Sequence, residues 1–314
     1  MSSLFGQADD IFFSRHPELV DSVTGQRRGL TLEPRDREFR EEWMEIYRGL
    51  ERAENEGYTA CDVGGIIQRC PLSEEVNPTK VVSEKAMNRL KAAREAIDYA
   101  KEKFPYGAGN QSEALDSSSF NSYFRMKTAR NNSAFAISPE VEKIAQENPA
   151  AFLAAKAELT KGGNCGEHAR VVYDYLRRKY PDEHIQIAQK EGLDHAFVII
   201  GDPAEKDNEL VVADAWPTNP TPVLWEDHFA YTSDKKKLLN HASSKGDSRN
   251  YKQEMLDAGL SLNDTGRKLI EESLTKEETE KKIESGSGDW IWEHSDTAET
   301  RYDYIVSPSS STAQ

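Results

Sequence analysis

Cysteine is scarce in this sequence: the 314 residues include only Cys61, Cys70 and Cys165. Three thiols are too few for a disulfide framework and fit a reducing compartment. No apolar run approaches the roughly 18 residues of a membrane-spanning helix, so no membrane span is predicted. The N-terminus lacks a basic segment followed by an apolar core, which predicts no secretory signal. These absences favour a cytoplasmic location.

Positive charge is also in short supply. Against 55 acidic residues there are 40 basic ones, a formal net charge of −15. A chain with this balance repels phosphate backbones, so the sequence predicts no nucleic-acid partner. Neither a Gly-x-Gly-x-x-Gly pattern nor a phosphate loop occurs, and no cofactor is predicted.

The first third of the chain alternates aperiodic and helical segments. Residues 1–33 show no periodicity and are predicted to form a flexible leader. Apolar stripes at helical spacing begin at Pro34 and again after Ser83, a good N-cap, which predicts a helical N-terminal region over 34–110. The Gly-, Asn- and Ser-rich stretch Pro105–Ser119 is typical of a hinge or linker.

The remaining chain mixes helical and strand patterns, so the predicted fold class is α+β. A catalytic core is predicted over 120–306, with a flexible tail at 307–314. Pro139 sits at a favoured first helical position and Pro149 interrupts the helical pattern, which predicts two short helices over 139–160. An amphipathic helix follows Cys165, and 225–285 is expected to be mostly helical. Strands are predicted at Ile185–Ile187, Ala196–Ile200, Leu210–Ala213 and Arg301–Val306.

The candidate nucleophile is Cys165, which directly follows Gly162-Gly163-Asn164. The glycines allow a tight turn into the helix that begins at the cysteine. A thiol at that position feels the positive end of the helix dipole, which favours its anionic form. A cysteine that was only a small apolar core residue would sit within an apolar stripe rather than after such a turn.

Two further residues complete a candidate triad. His195 opens one predicted strand and Asp214 ends the next. A hairpin register centred on the intervening loop pairs Ile200 with Glu209 and, further down the ladder, His195 with Asp214. Directly opposed residues share a face with Cβ atoms about 5 Å apart, so the imidazole would lie beside the carboxylate. A slip of one residue would separate them.

The order and chemistry of these residues suggest thiol catalysis. Asp214 would orient the His195 ring, His195 would take the Cys165 proton, and the thiolate would attack an amide carbonyl. The backbone N–H of Cys165 is the first candidate oxyanion donor, and the Asn164 side chain is a weaker one. His168, one helical turn beyond Cys165, is a candidate for supporting the catalytic residues or contacting the substrate, although a solvated helix face fits its position better. Trp216 is expected to form a packed wall beside the site.

These motifs resemble the papain-like/transglutaminase-like cysteine hydrolase superfamily, most closely its compact bacterial effector and toxin members. The resemblance covers roughly residues 140–225 and rests on the segments Gly163–Ala169, Asp194–Val198 and Asp214–Trp216. It implies a catalytic helix packed on a small antiparallel sheet, with Cys165 as nucleophile, His195 as base and Asp214 as orienting group. It also implies a protein substrate, such as a host protein reached by a route independent of a signal peptide.

Several reactions fit the same triad. Proteolysis is the first hypothesis, and glutamine deamidation or transamidation is the alternative. Papain-type enzymes carry an oxyanion-hole glutamine shortly before the cysteine, whereas Leu159 and its neighbours supply none here. Two other classes remain open. Cys165, His168, His195 and Asp214 could form a zinc site, or the chain could be a non-catalytic interaction protein with a decayed triad.

Overall fold

The structure is a computed structural model that describes residues 4–20, 27, 34–55, 59–63, 66–70, 78–285, 291–292 and 302–306. The chain divides into two compact units, Met1–Val76 and Asn77–Gln314. Helix and strand both contribute, as the predicted α+β class requires. None of the helices in the described part is long and apolar enough to cross a membrane. The predicted tail at 307–314 lies outside the described residues.

The described residues of the first unit form two α-helices, a short 3-10 helix at Pro17–Leu19 and two antiparallel strands. Its elements are α1 (Leu4–Arg15), α2 (Pro34–Asn55), β1 (Thr59–Val63) and β2 (Ile66–Cys70). Helix α1 falls within the range predicted to be a flexible leader, and the reason is a tertiary one. Ala8 and Phe12, one helical turn apart, are buried in one apolar cluster with Ile46 and Leu50 of α2. Burial against α2 stabilises a segment whose own sequence shows little periodicity.

The second unit begins with a strand and a long helix. Strand β3 (Thr79–Val82) leads into α3 (Glu84–Lys103), and the Ser83 hydroxyl caps the helix by accepting from the Ala86 N–H over 3.0 Å. The predicted cap at Ser83 is therefore confirmed. Helix α3 belongs to this second unit, although the sequence placed it in a separate N-terminal region.

The other elements of this unit follow in chain order. The helices are α4 (Ser112–Ser117), α5 (Asn121–Ala129), α6 (Pro139–Glu147), α7 (Pro149–Thr160), α8 (Cys165–Lys179), α9 (Tyr251–Asp257), α10 (Asp264–Leu269) and α11 (Lys276–Ser285). The strands are β4 (Phe135–Ala136), β5 (Ile185–Lys190), β6 (Ala196–Ile200), β7 (Val211–Ala213), β8 (Val223–Leu224), β9 (Leu238–Ser244), β10 (Ser261–Leu262) and β11 (Asp303–Val306). The predicted start of α6 at Pro139 is confirmed, and so is the predicted division of 139–160 into two helices.

A five-stranded antiparallel sheet in the order β8-β7-β6-β5-β9 forms the centre of the unit. On one face, Val198 of β6 is buried with Ile97 of α3 and Leu176 of α8. On the other, Phe197 is buried with Trp225 in a second cluster. Covering both faces explains why β6 is apolar along its whole length instead of alternating.

The predictions for two segments of this unit are wrong. Residues 225–285 are not mostly helical, because the edge strand β9 lies among them and pairs with β5. Nor is Pro105–Ser119 a linker: it contains α4, and Ala108, Asn110 and Gln111 within it are buried. Its Gly, Asn and Ser residues serve close packing and side-chain hydrogen bonding rather than flexibility.

Candidate active site

Cys165 is the first residue of α8, a helix of 15 residues. Asn164 precedes it in an extended conformation as the N-cap, and its backbone N–H donates to Glu167 Oε2 over 2.8 Å. The carboxylate thereby fixes the first turn of the helix. The Cys165 side chain is partly exposed and not in a disulfide. The structure thus places an accessible thiol at the positive end of a helix dipole.

The Gly-Gly turn before Cys165 is required by close packing. A Cβ atom on Gly162 would lie 2.4 Å from Arg125 Cβ, and one on Gly163 would lie 2.2 Å from Glu167 Cβ. Both distances are far shorter than a van der Waals contact. The Gly163 carbonyl also accepts a hydrogen bond of 3.1 Å from the Gly109 N–H. Side chains at these two positions would displace the turn that presents the cysteine.

His195 and Asp214 form a buried hydrogen-bonded pair. His195 Nε2 lies 2.5 Å from Asp214 Oδ2, and the two residues are 2% and 6% exposed. Asp214 Oδ1 accepts from the Trp216 backbone N–H over 3.1 Å, which fixes the carboxylate. A second imidazole, His228 Nε2, is 3.6 Å from Asp214 Oδ2.

Electrostatics keep this pair ionised. Burial alone would raise the pKa of Asp214, but the charge and hydrogen bond of His195, with a further contribution from His228, hold it well below its usual range. Burial opposes protonation of His195 as well, yet the Asp214 carboxylate and then Cys165 outweigh it and raise the pKa of His195 to about 10. The pair is therefore a carboxylate and an imidazolium at neutral pH.

Cys165 contributes to the raised pKa of His195, so the thiol lies close to the imidazole ring. Because Nε2 is engaged by Asp214, Nδ1 is the ring nitrogen left for the sulfur. The structure therefore brings the three predicted residues together in the predicted order. Sequence reasoning missed a fourth charged group, Arg130, which is close enough for its charge to interact with Cys165. Its guanidinium makes two hydrogen bonds to Glu167, at 2.9 and 2.8 Å.

The predicted hairpin register is wrong by two residues. The observed ladder pairs Ile200 with Val211 and Val198 with Ala213, rather than Ile200 with Glu209. A 3-10 turn at Asp207–Glu209 lengthens the loop, which moves the second strand along the chain. Since strand side chains alternate with period two, a shift of two keeps both members of the pair on the same face.

His168 is not on a solvated helix face. It is 1% exposed, and its ring stacks on Phe104 with centroids 3.9 Å apart. Its Nδ1–H donates to the Asn164 carbonyl oxygen over 2.8 Å. Burial, with the nearby charge of Lys101, lowers the pKa of His168 to about 4, so the ring is neutral at pH 7. Its position supports the backbone at the helix start instead of contacting a substrate.

Trp216 lies beside the pair as expected, with its ring centroid 5.1 Å from that of His195. Two residues from the supposed linker hold it in place. Its indole Nε1–H donates to Asn110 Oδ1 over 3.0 Å, and Gln111 Nε2 donates to its carbonyl oxygen over 2.7 Å. Neither residue was identified from the sequence. An amide side chain in a Gly/Ser-rich segment carries no local signal that distinguishes burial from a solvated loop.

Other aromatic side chains surround the histidine. Phe229 lies 5.3 Å from the His195 ring between centroids and is 36% exposed. Trp292 packs edge-on against Trp216 at 5.2 Å. An apolar surround of this kind excludes water from one side of the imidazole, which strengthens its interaction with the carboxylate.

The geometry does not assemble the zinc site considered from the sequence. His168 turns to the Asn164 carbonyl, while His195 Nε2 is bound to Asp214. Within the described ranges there is no group of three or more His, Cys, Asp or Glu residues placed to hold a metal ion.

Asn164, the weaker candidate oxyanion donor, has its Oδ1 buried without a hydrogen-bond partner among the described residues.

Comparison with protein-family models, with curated proteins and with solved structures finds no match for this chain.

Proposed function

We propose that this chain is a thiol-dependent acyl-transfer enzyme with a papain/transglutaminase-like core, and that it cleaves protein or peptide amides as a cysteine protease. One observation carries the proposal: a partly exposed cysteine at a helix N-terminus lies close to an imidazole that has its Nε2 2.5 Å from a buried carboxylate. Covalent thiol catalysis requires a nucleophile, a base and a carboxylate that orients the base.

The residues divide the chemistry between them. The Cys165 thiolate attacks the amide carbonyl carbon, and His195 then gives its proton to the nitrogen as the C–N bond breaks. Water, deprotonated by His195, hydrolyses the thioester and restores the thiol. Asp214 keeps the ring oriented and stabilises the imidazolium. The Cys165 backbone N–H, at the open end of α8, is the first donor for the oxyanion.

Glutamine deamidation or transamidation is the alternative. The same three residues serve when the attacked amide is a side chain, with ammonia leaving and water or an amine completing the reaction. The residues Leu159–Asn164 before the cysteine include no glutamine to act as a papain-type oxyanion donor, and this favours the alternative.

The first experiment measures the alkylation rate of each cysteine by iodoacetamide between pH 5 and 9, read by peptide mapping. We expect Cys165 to react faster than Cys61 and Cys70 at pH 6, and His195→Ala to remove that advantage. His241→Ala is the matched control, because His241 is an exposed histidine on β9. If Cys165 reacts no faster than the other cysteines, or if His195→Ala leaves its rate unchanged, the proposal is wrong.

A second experiment separates the reactions. Incubating the protein with a peptide library and mapping products by mass spectrometry should reveal new N-termini that Cys165→Ala does not produce. Conversion of glutamine to glutamate with release of ammonia, without new N-termini, would replace proteolysis by deamidation.

A further inference from the structure

Arg125 of α5 is a buried arginine that no carboxylate of the described residues neutralises. It is 9% exposed. Its Nε–H donates to Asn121 Oδ1 over 2.5 Å and its Nη1–H to the Thr160 carbonyl oxygen over 2.9 Å, and both acceptors are uncharged. Among the described residues, no carboxylate oxygen lies within 4.0 Å of its guanidinium nitrogens. Of the five N–H donors of a guanidinium, two bond to these acceptors, and the other three have no acceptor among the described residues.

Arg125 lines a cavity of about 610 Å³ that is open to solvent. That volume is in the range of small-molecule sites. The Tyr106 ring covers the face of the guanidinium, with Cζ 3.9 Å from the ring centroid. A ligand therefore meets the N–H edge of the arginine. Ser119 and Ser273 also line the cavity, and Glu271 is the carboxylate on its wall.

An arginine in this setting favours an anionic ligand. The guanidinium stays charged in proteins, and a buried charge without an opposite partner is costly. Burial lowers the pKa of Arg125, since only Tyr106 offsets it. A bound oxyanion would supply the missing charge and accept the free N–H groups in the forked geometry that arginine offers.

We propose that this cavity binds the phosphate group of a small molecule, with Arg125 as the charged donor and the hydroxyls of Ser119 and Tyr106 as further donors. Phosphate fits better than a carboxylate because three arginine N–H groups and neighbouring hydroxyls call for several acceptor oxygens. Glu271 opposes the anion and limits its affinity.

The cavity adjoins the turn that presents Cys165. Arg125 holds the carbonyl of Thr160, the last residue of α7, and Gly162 packs directly on the Arg125 backbone. A ligand at Arg125 would therefore lie against the segment leading into the catalytic helix. Binding itself does not involve the thiol, so it can be measured whether or not the proposed acyl transfer is correct.

The test is calorimetric titration of the full-length protein with inorganic phosphate, pyrophosphate and acetate at fixed ionic strength. We expect phosphate to bind at millimolar concentration or below, and pyrophosphate to bind at least as well. Acetate should bind at least about tenfold more weakly, since it offers fewer acceptor oxygens. Phosphate should also raise the thermal unfolding temperature in a concentration-dependent way.

Four variants define the site. Arg125→Met should weaken phosphate binding by about tenfold or more, because charge-assisted hydrogen bonds are lost. Arg125→Lys should bind at an intermediate level, since the charge stays but the fork is gone. Glu271→Gln should bind more tightly than the wild type, because it removes the repelling charge. Lys127→Met, an exposed residue of the same helix outside the cavity, should bind as the wild type does.

The opposite effects expected at Arg125 and Glu271 keep the test valid if Arg125→Met fails to fold. Glu271 is exposed, so its substitution should not affect folding. The proposal would be overturned if the wild type showed no binding of phosphate at phosphate concentrations up to about 20 mM. Equal affinities for phosphate and acetate would also overturn it. So would a gain in phosphate affinity in Glu271→Gln that Lys127→Met shows to the same extent.

Discussion

His195 and Asp214 meet as diagonal rather than directly opposed neighbours. In the observed register, continuation of the β6–β7 ladder places His195 opposite Trp216 and Asp214 opposite Phe197. The 2.5 Å contact between ring and carboxylate therefore spans a diagonal of the pleated sheet, a separation that long side chains bridge readily. This arrangement leaves Trp216 free to pack against the imidazole while its backbone N–H holds the other carboxylate oxygen.

The first prediction concerns Asp214→Asn. The amide keeps the size of the carboxylate but loses the charge that raises the pKa of His195. We expect the Cys165 alkylation rate at pH 6 to fall by about tenfold or more. Without the carboxylate, burial lowers the pKa of His195 unopposed, and the ring loses the positive charge that stabilises the thiolate. Glu226→Gln serves as a control outside the triad. An unchanged rate in Asp214→Asn would mean that the carboxylate does not act through His195.

A second prediction follows from the stability of the imidazolium. The pKa of His195 in the folded protein, about 10, exceeds its ordinary value of 6.5. Its contribution to stability is fully present below pH 6.5 and is lost as the pH rises through 10. We expect the free energy of unfolding in urea to fall over this window, with a slope of up to about 1.4 kcal/mol per pH unit.

Replacing His195 by Gln should remove that part of the slope. His241→Gln, which changes an exposed histidine, should retain the slope of the wild type. If the free energy of unfolding changed with pH in the same way for His195→Gln and the wild type between pH 6.5 and 10, His195 and Asp214 would not form an ion pair.

The third prediction has the opposite sign and concerns His168. Its pKa in the folded protein, about 4, is below the ordinary 6.5 because the neutral ring is buried. The contribution of His168 to the stability of the folded protein is present above pH 6.5. It is lost as the pH falls toward 4, since the unfolded chain takes up the proton first. Between pH 6.5 and 4.5 we expect a loss of roughly 2 kcal/mol in the free energy of unfolding.

His168→Gln should be less stable than the wild type at pH 7, because it loses the stacking on Phe104. It should nevertheless show a shallower decline between pH 6.5 and 4.5, measured by urea unfolding at each pH. An equally steep decline would show that His168 is not the group that takes up the proton.

The sequence predicted the parts of the site that depend on local rules. The turn at Gly162-Gly163, the helix start at Cys165 and the strand before Ile200 each carry a signal within a few residues. The pairing of His195 with Asp214 was also predicted, although through a register wrong by two. The predicted pairing holds because strand side chains alternate with period two. An error of two residues therefore leaves both side chains on the same face of the sheet.

The rest depends on contacts between distant segments. Asn110 reaches Trp216 across more than a hundred residues of sequence, and His228 reaches Asp214 after a further strand. The burial of His168 is decided by Phe104 on another helix. No local pattern encodes such contacts, and the Gly/Ser-rich surroundings of Asn110 favoured a linker instead.

A fourth prediction tests the Gly-Gly turn with a matched pair of substitutions. A Cβ at Gly162 would lie 2.7 Å from the backbone carbonyl carbon of Arg125 and 2.8 Å from the Met126 nitrogen, atoms that cannot rotate away. Gly162→Ala should therefore destabilise the protein by about 1–3 kcal/mol and slow Cys165 alkylation, because the turn must shift. At Gly166 a Cβ would meet only Arg170 Nη1, at 3.0 Å, the mobile end of a long side chain.

Gly166→Ala should be neutral or stabilising by up to about 1 kcal/mol, since alanine is favoured over glycine within a helix. The two variants differ by the same single methyl group, so the comparison isolates where that group is placed. Urea unfolding gives the stability, and peptide mapping gives the reactivity of the thiol. Equal stabilities of the two variants would mean that the turn before Cys165 is not held against α5.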